Sequence, residues 1–328
     1  MSRVLVTGAN GFVGSALCRR LRREGVNLRR AVRSAGVSRD PTKADDASGE
    51  FVVGEHGPST PWGAAVKDVE VVVHLAAHVH QATKESAEAS DTYHRVNVEA
   101  TETLARSAAG AGVRRFVFLS SVKVNGESTD SCKSFTEADS PNPQNAYARS
   151  KRDAEQALFR LSRETGMEVV VLRPPLVYGP GIKANFLALL KLVDSGMFLP
   201  LASVDNRRSF VFLGNLVDAI VACIEHPQAA AQTFLVSDGE DVATPELVRR
   251  IAKVLGRPAR LFPCPVSALR LIGGAIGKSG AIERLTSSLV VDSASIGSVL
   301  GWSAPFTLNQ GLDVTARWYA KARARNVA

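Results

Sequence analysis

Through the first half of the chain, short runs of β-branched and apolar residues alternate with stretches of helical periodicity. Strand-like runs stand at residues 3–7, 28–32, 51–53, 70–74, 115–119 and 168–172, and helix-like segments at 12–24, 90–111 and 147–165 separate several of them. Strands that read as continuous apolar runs are buried on both faces, the signature of a parallel sheet covered by helices. Joining such strands through helices requires right-handed crossovers, so residues 1–174 are expected to form a Rossmann-type, doubly wound parallel α/β domain. After Pro174 the rhythm changes to Pro- and Gly-punctuated segments, with helices expected at 185–195, 213–225, 245–255 and 308–322. That predicts a smaller, mainly substrate-binding lobe over residues 175–328, with 210–211 and 233–236 as strands able to return to the main sheet.

Composition narrows the function classes. The 328 residues are 45% apolar and 22% charged, enough apolar content for a substantial core. No apolar run approaches the roughly 18 residues of a spanning helix. The longest, at 269–276, contains Arg270, and no secretory apolar segment follows Arg3, so a cytoplasmic protein without a membrane span is expected. Cys18, Cys132, Cys223 and Cys264 lie far apart, which predicts reduced thiols and no metal site. The net charge of +8 suits an anionic small substrate or a phosphorylated cofactor. No basic run is interleaved with aromatics, so nucleic-acid binding is not expected.

Directly after the first strand stands TGANGFVG at 7–14. Gly8, Gly11 and Gly14 permit a tight turn and close backbone approach to a pyrophosphate, and the helix opening at Phe12 and Val13 turns its N-terminal N–H groups on the anion. The second strand normally ends in a carboxylate that binds the adenosine ribose when NAD is used. Here it ends Val32-Arg33, which favours NADP(H) and leaves NAD(H) open; the competing reading makes Arg29, Arg30 and Arg33 a solvated basic edge. Glu55 and His56, after the third strand, are placed to contact the adenine. Tyr147 and Lys151 stand at i and i+4, on one helix face, where an ammonium and an oxidised nicotinamide would both favour the phenolate. Ser121, at the carboxyl end of the fifth strand, is placed to hydrogen-bond a substrate oxygen.

Together these pieces resemble the extended short-chain dehydrogenase/reductase superfamily, in its nucleotide-sugar epimerase, dehydratase and reductase branch. They are TGANGFVG, HLAA at 74–77, VNVEAT with Asn97, LSSVKVNG at 119–126, YARSK at 147–151 and LRPPLVYGPG at 172–181. The resemblance implies Tyr147 as proton donor or acceptor, Lys151 as its tuner and ribose ligand, and Ser121 as partner of the substrate hydroxyl. It implies that Leu75, Ala76, Ala77, Asn97 and Pro174 line the cofactor site. It also implies that Asn185, Phe186, Arg208 and Arg284 bind a nucleotide diphosphate. His78 is expected to line the sugar pocket. Helices 90–111 and 147–165 correspond to those that pair in related dimers, and Ala100, Ala105, Ala108 and Ala109 would let a partner helix approach, unless they bury against the protein's own sheet.

Two departures bear on the reaction. The family's dehydratases follow the Ser121 position with an Asp-Glu pair, and here Val122 and Lys123 stand there, which removes the carboxylate chemistry of water elimination. Where hexose 4-epimerases commonly carry asparagine, this chain has Leu176. Both departures fit an NADP(H)-dependent 4-ketoreductase, and the resemblance of SVKVNGE at 121–127 and GPGIKANF at 179–186 to bacterial surface-polysaccharide enzymes implies a UDP-linked 4-keto-6-deoxy-N-acetylhexosamine as its substrate. An NAD-dependent UDP-hexose or UDP-N-acetylhexosamine 4-epimerase is the alternative, and a non-catalytic NADP(H) sensor a further one.

Overall fold

The computed structural model describes residues 3–34, 49–79, 87–129 and 133–327. Its elements follow the chain as β1 (Arg3–Thr7), α1 (Phe12–Arg23), β2 (Asn27–Val32), β3 (Glu50–Val52), α2 (Gly63–Val66), β4 (Val71–His74), α3 (Ala87–Tyr93), α4 (Ala100–Gly110) and β5 (Arg115–Leu119). Then come α5 (Ala146–Thr165), β6 (Glu168–Arg173), β7 (Leu176–Tyr178), α6 (Ala184–Asp194), β8 (Arg208–Phe212), α7 (Leu213–Glu225) and β9 (Thr233–Leu235). The chain closes with β10 (Asp241–Val242), α8 (Thr244–Val254), α9 (Val266–Ala275), α10 (Ser279–Thr286), α11 (Ala294–Leu300) and α12 (Leu308–Val327).

Seven parallel strands form one sheet in the order β3-β2-β1-β4-β5-β6-β9. The order reverses between β1 and β4, which opens a crevice at their carboxyl ends. One face of the sheet is covered by α1 and α7 through Leu17, Leu21, Leu216 and Ile220. The other is covered by α4 and α5 through Leu104, Ala108, Leu158 and Leu161. Each such leucine, removed from water, contributes about 1.5–3 kcal/mol. This is the expected Rossmann-type α/β fold.

The second lobe does not begin cleanly at residue 175. β9 pairs in parallel with β6, as the apolar run at 233–236 predicts, and α7 packs on α1, so both complete the first core. The run at 210–211 behaves differently: β8 joins a separate three-stranded sheet, β10-β8-β7, and packs with α6, α8 and α12 around Tyr178, Phe210 and Phe212. Asp241 of β10 accepts from Ser209 Oγ, tying that small sheet together.

The helix expected over 90–111 is interrupted. α3 and α4 are separated by a π-helical turn at His94–Glu99, whose extra residue per turn rotates Asn97 inward. Buried there, Asn97 accepts from His78 N at 2.7 Å and donates to His78 O and Ser150 Oγ, both at 3.0 Å. Ala100, Ala105 and Ala108 are buried against the protein's own core, so they offer no surface to a partner helix. Cys18, Cys223 and Cys264 are free thiols, and Cys132 and His80 lie outside the described residues. No described helix is long and apolar enough to cross a membrane.

A buried arginine joins the two chain halves. Arg115, at the start of β5, donates through one nitrogen to the carbonyls of Cys223, Ile224 and His226 at 2.8, 3.0 and 2.9 Å, capping the end of α7, and its Nε meets Glu168 at 2.7 Å. Truncation would leave three carbonyls at the helix end without this donor, while Glu168 would keep Arg114 at 2.9 Å. Arg115→Met is therefore expected to lower unfolding stability by roughly 3 kcal/mol, read as a drop in the urea midpoint at unchanged m-value.

Candidate functional site

At the crevice the sequence builds a groove of about 1390 Å³, floored by the strand ends of β1, β4 and β5 and walled by the 7–14 loop, Arg33, Glu55 and Pro174. That exceeds the 300–1,000 Å³ typical of small-ligand pockets and suits an extended dinucleotide. The glycines fit the same group. Gly8 adopts φ +64°, and Gly11 N closes the turn onto Gly8 O at 2.8 Å. A Cβ on Gly14 would lie 2.1 Å from Gly8 O, so only glycine lets α1 start this close to the loop. Gly11 caps α1 without a side-chain acceptor, which leaves first-turn N–H groups to meet an anion.

Beneath the loop runs a buried hydrogen-bond chain. Thr7 Oγ1 accepts from Leu75 N and Ala76 N, each at 3.2 Å, and therefore donates to His74 Nδ1 at 2.7 Å. His74 Nε2 then donates to Thr101 Oγ1 at 3.0 Å, whose own proton goes to Asn97 O. Burial holds His74 well below the usual histidine range, so it serves as a neutral connector. This chain fixes Leu75, Ala76, Ala77 and His78 on the groove wall. Asn97 does not line the groove; it acts on it through the His78 backbone.

The adenosine end differs from the expected basic edge. Arg30 is buried, paired with Glu50 at 3.1 Å and donating to Asn10 Oδ1, and Arg29 is spent on the carbonyls of Ala64, Ala65 and Lys67. Of the three arginines, Arg33 stands exposed on the rim. Glu55 is also exposed there, whereas the His56 ring turns inward against Trp62 and His74, with centroids at 5.7 and 5.1 Å. Burial pulls His56 down to about 4, helped by the charges of Lys151 and Arg33. Its ring nitrogens are buried without a protein partner, an orphaned pair that a ligand in the groove would satisfy.

Ser121 and Tyr147 lie at the groove floor, and Lys151 is buried behind them against β5. Asn145 caps α5 by accepting from Ala148 N at 2.9 Å, which starts the helix so that Tyr147 and Lys151 share the face turned to β5. The Tyr147 phenol hydrogen-bonds Ser121, and packing around it pushes it up to about 12. Lys151 Nζ donates to Leu119 O at 2.8 Å and sits 4.4 Å over the Phe118 ring. Burial pulls this ammonium down to about 7, against the attraction of Glu155. Glu155 itself takes Ser120 Oγ and a fork from Arg173, at 3.0 and 2.5 Å, while Arg173 also reaches Asn125 Oδ1 at 3.1 Å. Sequence reading missed this network; its visible signal is Glu155, one turn beyond Lys151 on the same helix face.

On the substrate side the expected residues divide. Phe186 is buried and stacked on Tyr178 at 5.3 Å, so its side chain is core rather than ligand contact, since α6 must fill the lobe. Asn185 is exposed beside it at the start of α6. Arg208 donates to Ser287 O at 2.9 Å and is held low by burial and by the nearby charge of Arg284. Asn185, Arg208 and Arg284 do not line the groove at the strand ends. Lys123 is held by Glu127 at 3.0 Å, and Glu127 also accepts from Asn145.

A model of the NAD dependent epimerase/dehydratase family matches residues 4–237. A UDP-glucose 4-epimerase of Vibrio cholerae is 43% identical over 98% of this chain and 97% of its own length. Among solved structures, MoeE5 in complex with UDP-glucose and NAD aligns with a TM-score of 0.77 at 25% identity, over 98% of this chain and all of that one. A UDP-glucose 4-epimerase of Thermus thermophilus in complex with NAD shares the fold, with a TM-score of 0.78 at 21% identity over 98% and 99% of the two chains.

Because Lys151 binds its proton less tightly folded than unfolded, the penalty on folding is full below about pH 7 and fades as pH rises towards 10.5. The ligand-free protein should therefore gain stability relative to Lys151→Met between pH 7 and 9.5. Urea unfolding of both proteins at the two pH values checks this, and a constant difference would show that Lys151 keeps an ordinary affinity for its proton.

Proposed function

From the premise that this chain belongs to the NAD dependent epimerase/dehydratase family, and is an enzyme of the extended short-chain dehydrogenase/reductase type, we propose that it is an NAD-dependent UDP-hexose 4-epimerase. The observation that carries this reading is a groove of dinucleotide size whose floor holds Ser121 hydrogen-bonded to Tyr147, with Lys151 buried behind them against Leu119. Full-length similarity to a UDP-glucose 4-epimerase supports it, as does a structural neighbour holding UDP-glucose with NAD. The 7–14 loop would hold the pyrophosphate, His56 and Glu55 would meet the adenine, and Lys151 would reach the nicotinamide ribose.

What bound NAD supplies is a reversible acceptor for the C4 hydrogen and its electron pair. Tyr147 accepts the C4 hydroxyl proton as that carbon becomes a ketone, and returns it to the same oxygen when the C4 hydrogen is restored on the opposite face. Ser121 holds that oxygen within reach of the phenol. Arg208 and Arg284 anchor the diphosphate, leaving the sugar as the part free to present either face. Water elimination has no carboxylate base here, because Val122 and Lys123 occupy those positions and Lys123 is committed to Glu127.

A second reading, an NADPH-dependent 4-ketoreductase of a UDP-linked 4-keto-6-deoxy sugar, is favoured by Arg33 at the groove rim. The two part on the cofactor. Heat-denatured, freshly purified protein is expected to release about one NAD(H) per chain and to interconvert UDP-hexose epimers, before heating, without added cofactor. An empty protein whose Tm rises more with NADPH than with NADH would overturn the epimerase in favour of the reductase. On either reading, Tyr147→Phe is expected to lower kcat by about 10²–10⁴-fold with the Tm kept, and unchanged turnover would remove Tyr147 from the chemistry.

A further inference from the structure

The second lobe carries a helical pair whose surface the proposed reaction does not use. α9 and α10 pack closely at Gly273, where a Cβ would lie 2.6 Å from Ile282 Cγ1. The pair is fastened to the lobe core through Leu269, with Val266 and Ile282 partly buried beside it. Otherwise it stands out: α10 buries no residue, and α9 buries only Leu269 and Gly273. Yet α9 reads VSALRLIGGA, and Leu271, Ile272 and Ile276 are 76%, 55% and 59% exposed.

More apolar surface adjoins it in the chain. Leu199 N donates to Arg260 O at 2.8 Å and Phe262 N to Leu199 O at 3.0 Å, a short ladder that brings together Phe198, 67% exposed, and Phe262, three residues before Pro265 and the start of α9. The Arg260 guanidinium lies 5.3 Å over the Phe198 ring. Residues 257–284 hold five Lys or Arg; Arg270 engages Glu283, the one acidic residue of the segment, and Arg257 engages Asp194 of α6, which leaves Arg260, Lys278 and Arg284 as the cation excess. Exposed aliphatic and aromatic side chains edged by cations are the chemistry of a helix lying in a bilayer interface, with apolar groups at the acyl boundary and guanidiniums at phosphate.

We propose that α9, Ile276 and the Phe198 turn dock this protein on an anionic phospholipid bilayer surface, without crossing it. The cation excess selects this occupant over a second copy, because self-association would set like charges against each other. The inference stands whichever sugar chemistry the groove performs.

Sedimentation of the full-length protein with vesicles tests it, using equal parts phosphatidylglycerol and phosphatidylcholine against phosphatidylcholine alone. Partition is expected to be about tenfold or more greater on the anionic vesicles and to be lost as salt rises from about 0.1 to about 0.5 M. Leu271→Ser with Ile276→Ser, at unchanged Tm, should lower it about tenfold or more. Arg260→Glu, which keeps the apolar residues, should weaken it as well. Absence of partition, equal partition on both vesicles, or unaltered partition of both variants overturns the proposal. So does a native dimer that the serine variant converts to monomer in light scattering, which would assign the face to a second copy.

Discussion

The buried pair between Glu155 and Arg173 is the constraint on which the site's geometry depends. Both side chains are nearly sealed from solvent, and together they join the end of β6 to the middle of α5. Two charges in such a place are held only by mutual geometry, and loss of either partner would leave the other unpaired at a cost of about 3–5 kcal/mol. The same carboxylate takes the hydroxyl of Ser120, so the strand end carrying Ser121 is referenced to the helix carrying Tyr147 and Lys151. Arg173 reaches on to Asn125, fixing the turn after Ser121. The three groups thus owe their distances to one ion pair that touches none of the reacting atoms.

The cost of so much burial falls on the ionisation of the site. A phenol near 12 and an ammonium near 7 are both displaced towards their neutral forms by the same desolvation. Glu155 opposes the effect at Lys151, and Ser121 opposes it at Tyr147. The ligand-free groove therefore keeps its acid-base pair quiet, and the field of a ligand is needed to bring the phenol into working range.

Local rules made part of this architecture legible in the chain. The glycine loop, the strands of the main sheet and the Tyr147–Lys151 spacing each depend on contacts within a few residues, and they stand where periodicity and turn chemistry predict. The π turn at His94–Glu99 was not legible, because what drives Asn97 inward is the backbone of His78, brought alongside by the sheet. Phe186 misled for a similar reason: its neighbour Asn185 is exposed, but one residue of helix rotation turns the ring into a core made of Tyr178 and Phe210. The alanines of α4 fit a partner helix as well as the protein's own sheet, and only packing distinguishes the two.

The arginines of β2 and its end show most clearly how tertiary pairing alters a reading of the sequence. Arg33 favours a 2′-phosphate in the sequence, with a solvated edge of Arg29, Arg30 and Arg33 as the competing reading, yet Arg30 is neutralised by Glu50 and Arg29 is consumed by backbone carbonyls at the end of α2. Arg33 is left on the rim, where an exposed ion pair is worth no more than about 1 kcal/mol and is screened by salt. A phosphate dianion gains its selectivity from buried, bidentate or multiple cations rather than from one mobile side chain. Exposed Glu55 on the same rim would repel that dianion while accepting from a ribose or an amine. Among the described residues, the electrostatics of this end therefore suit a dinucleotide with a free ribose diol.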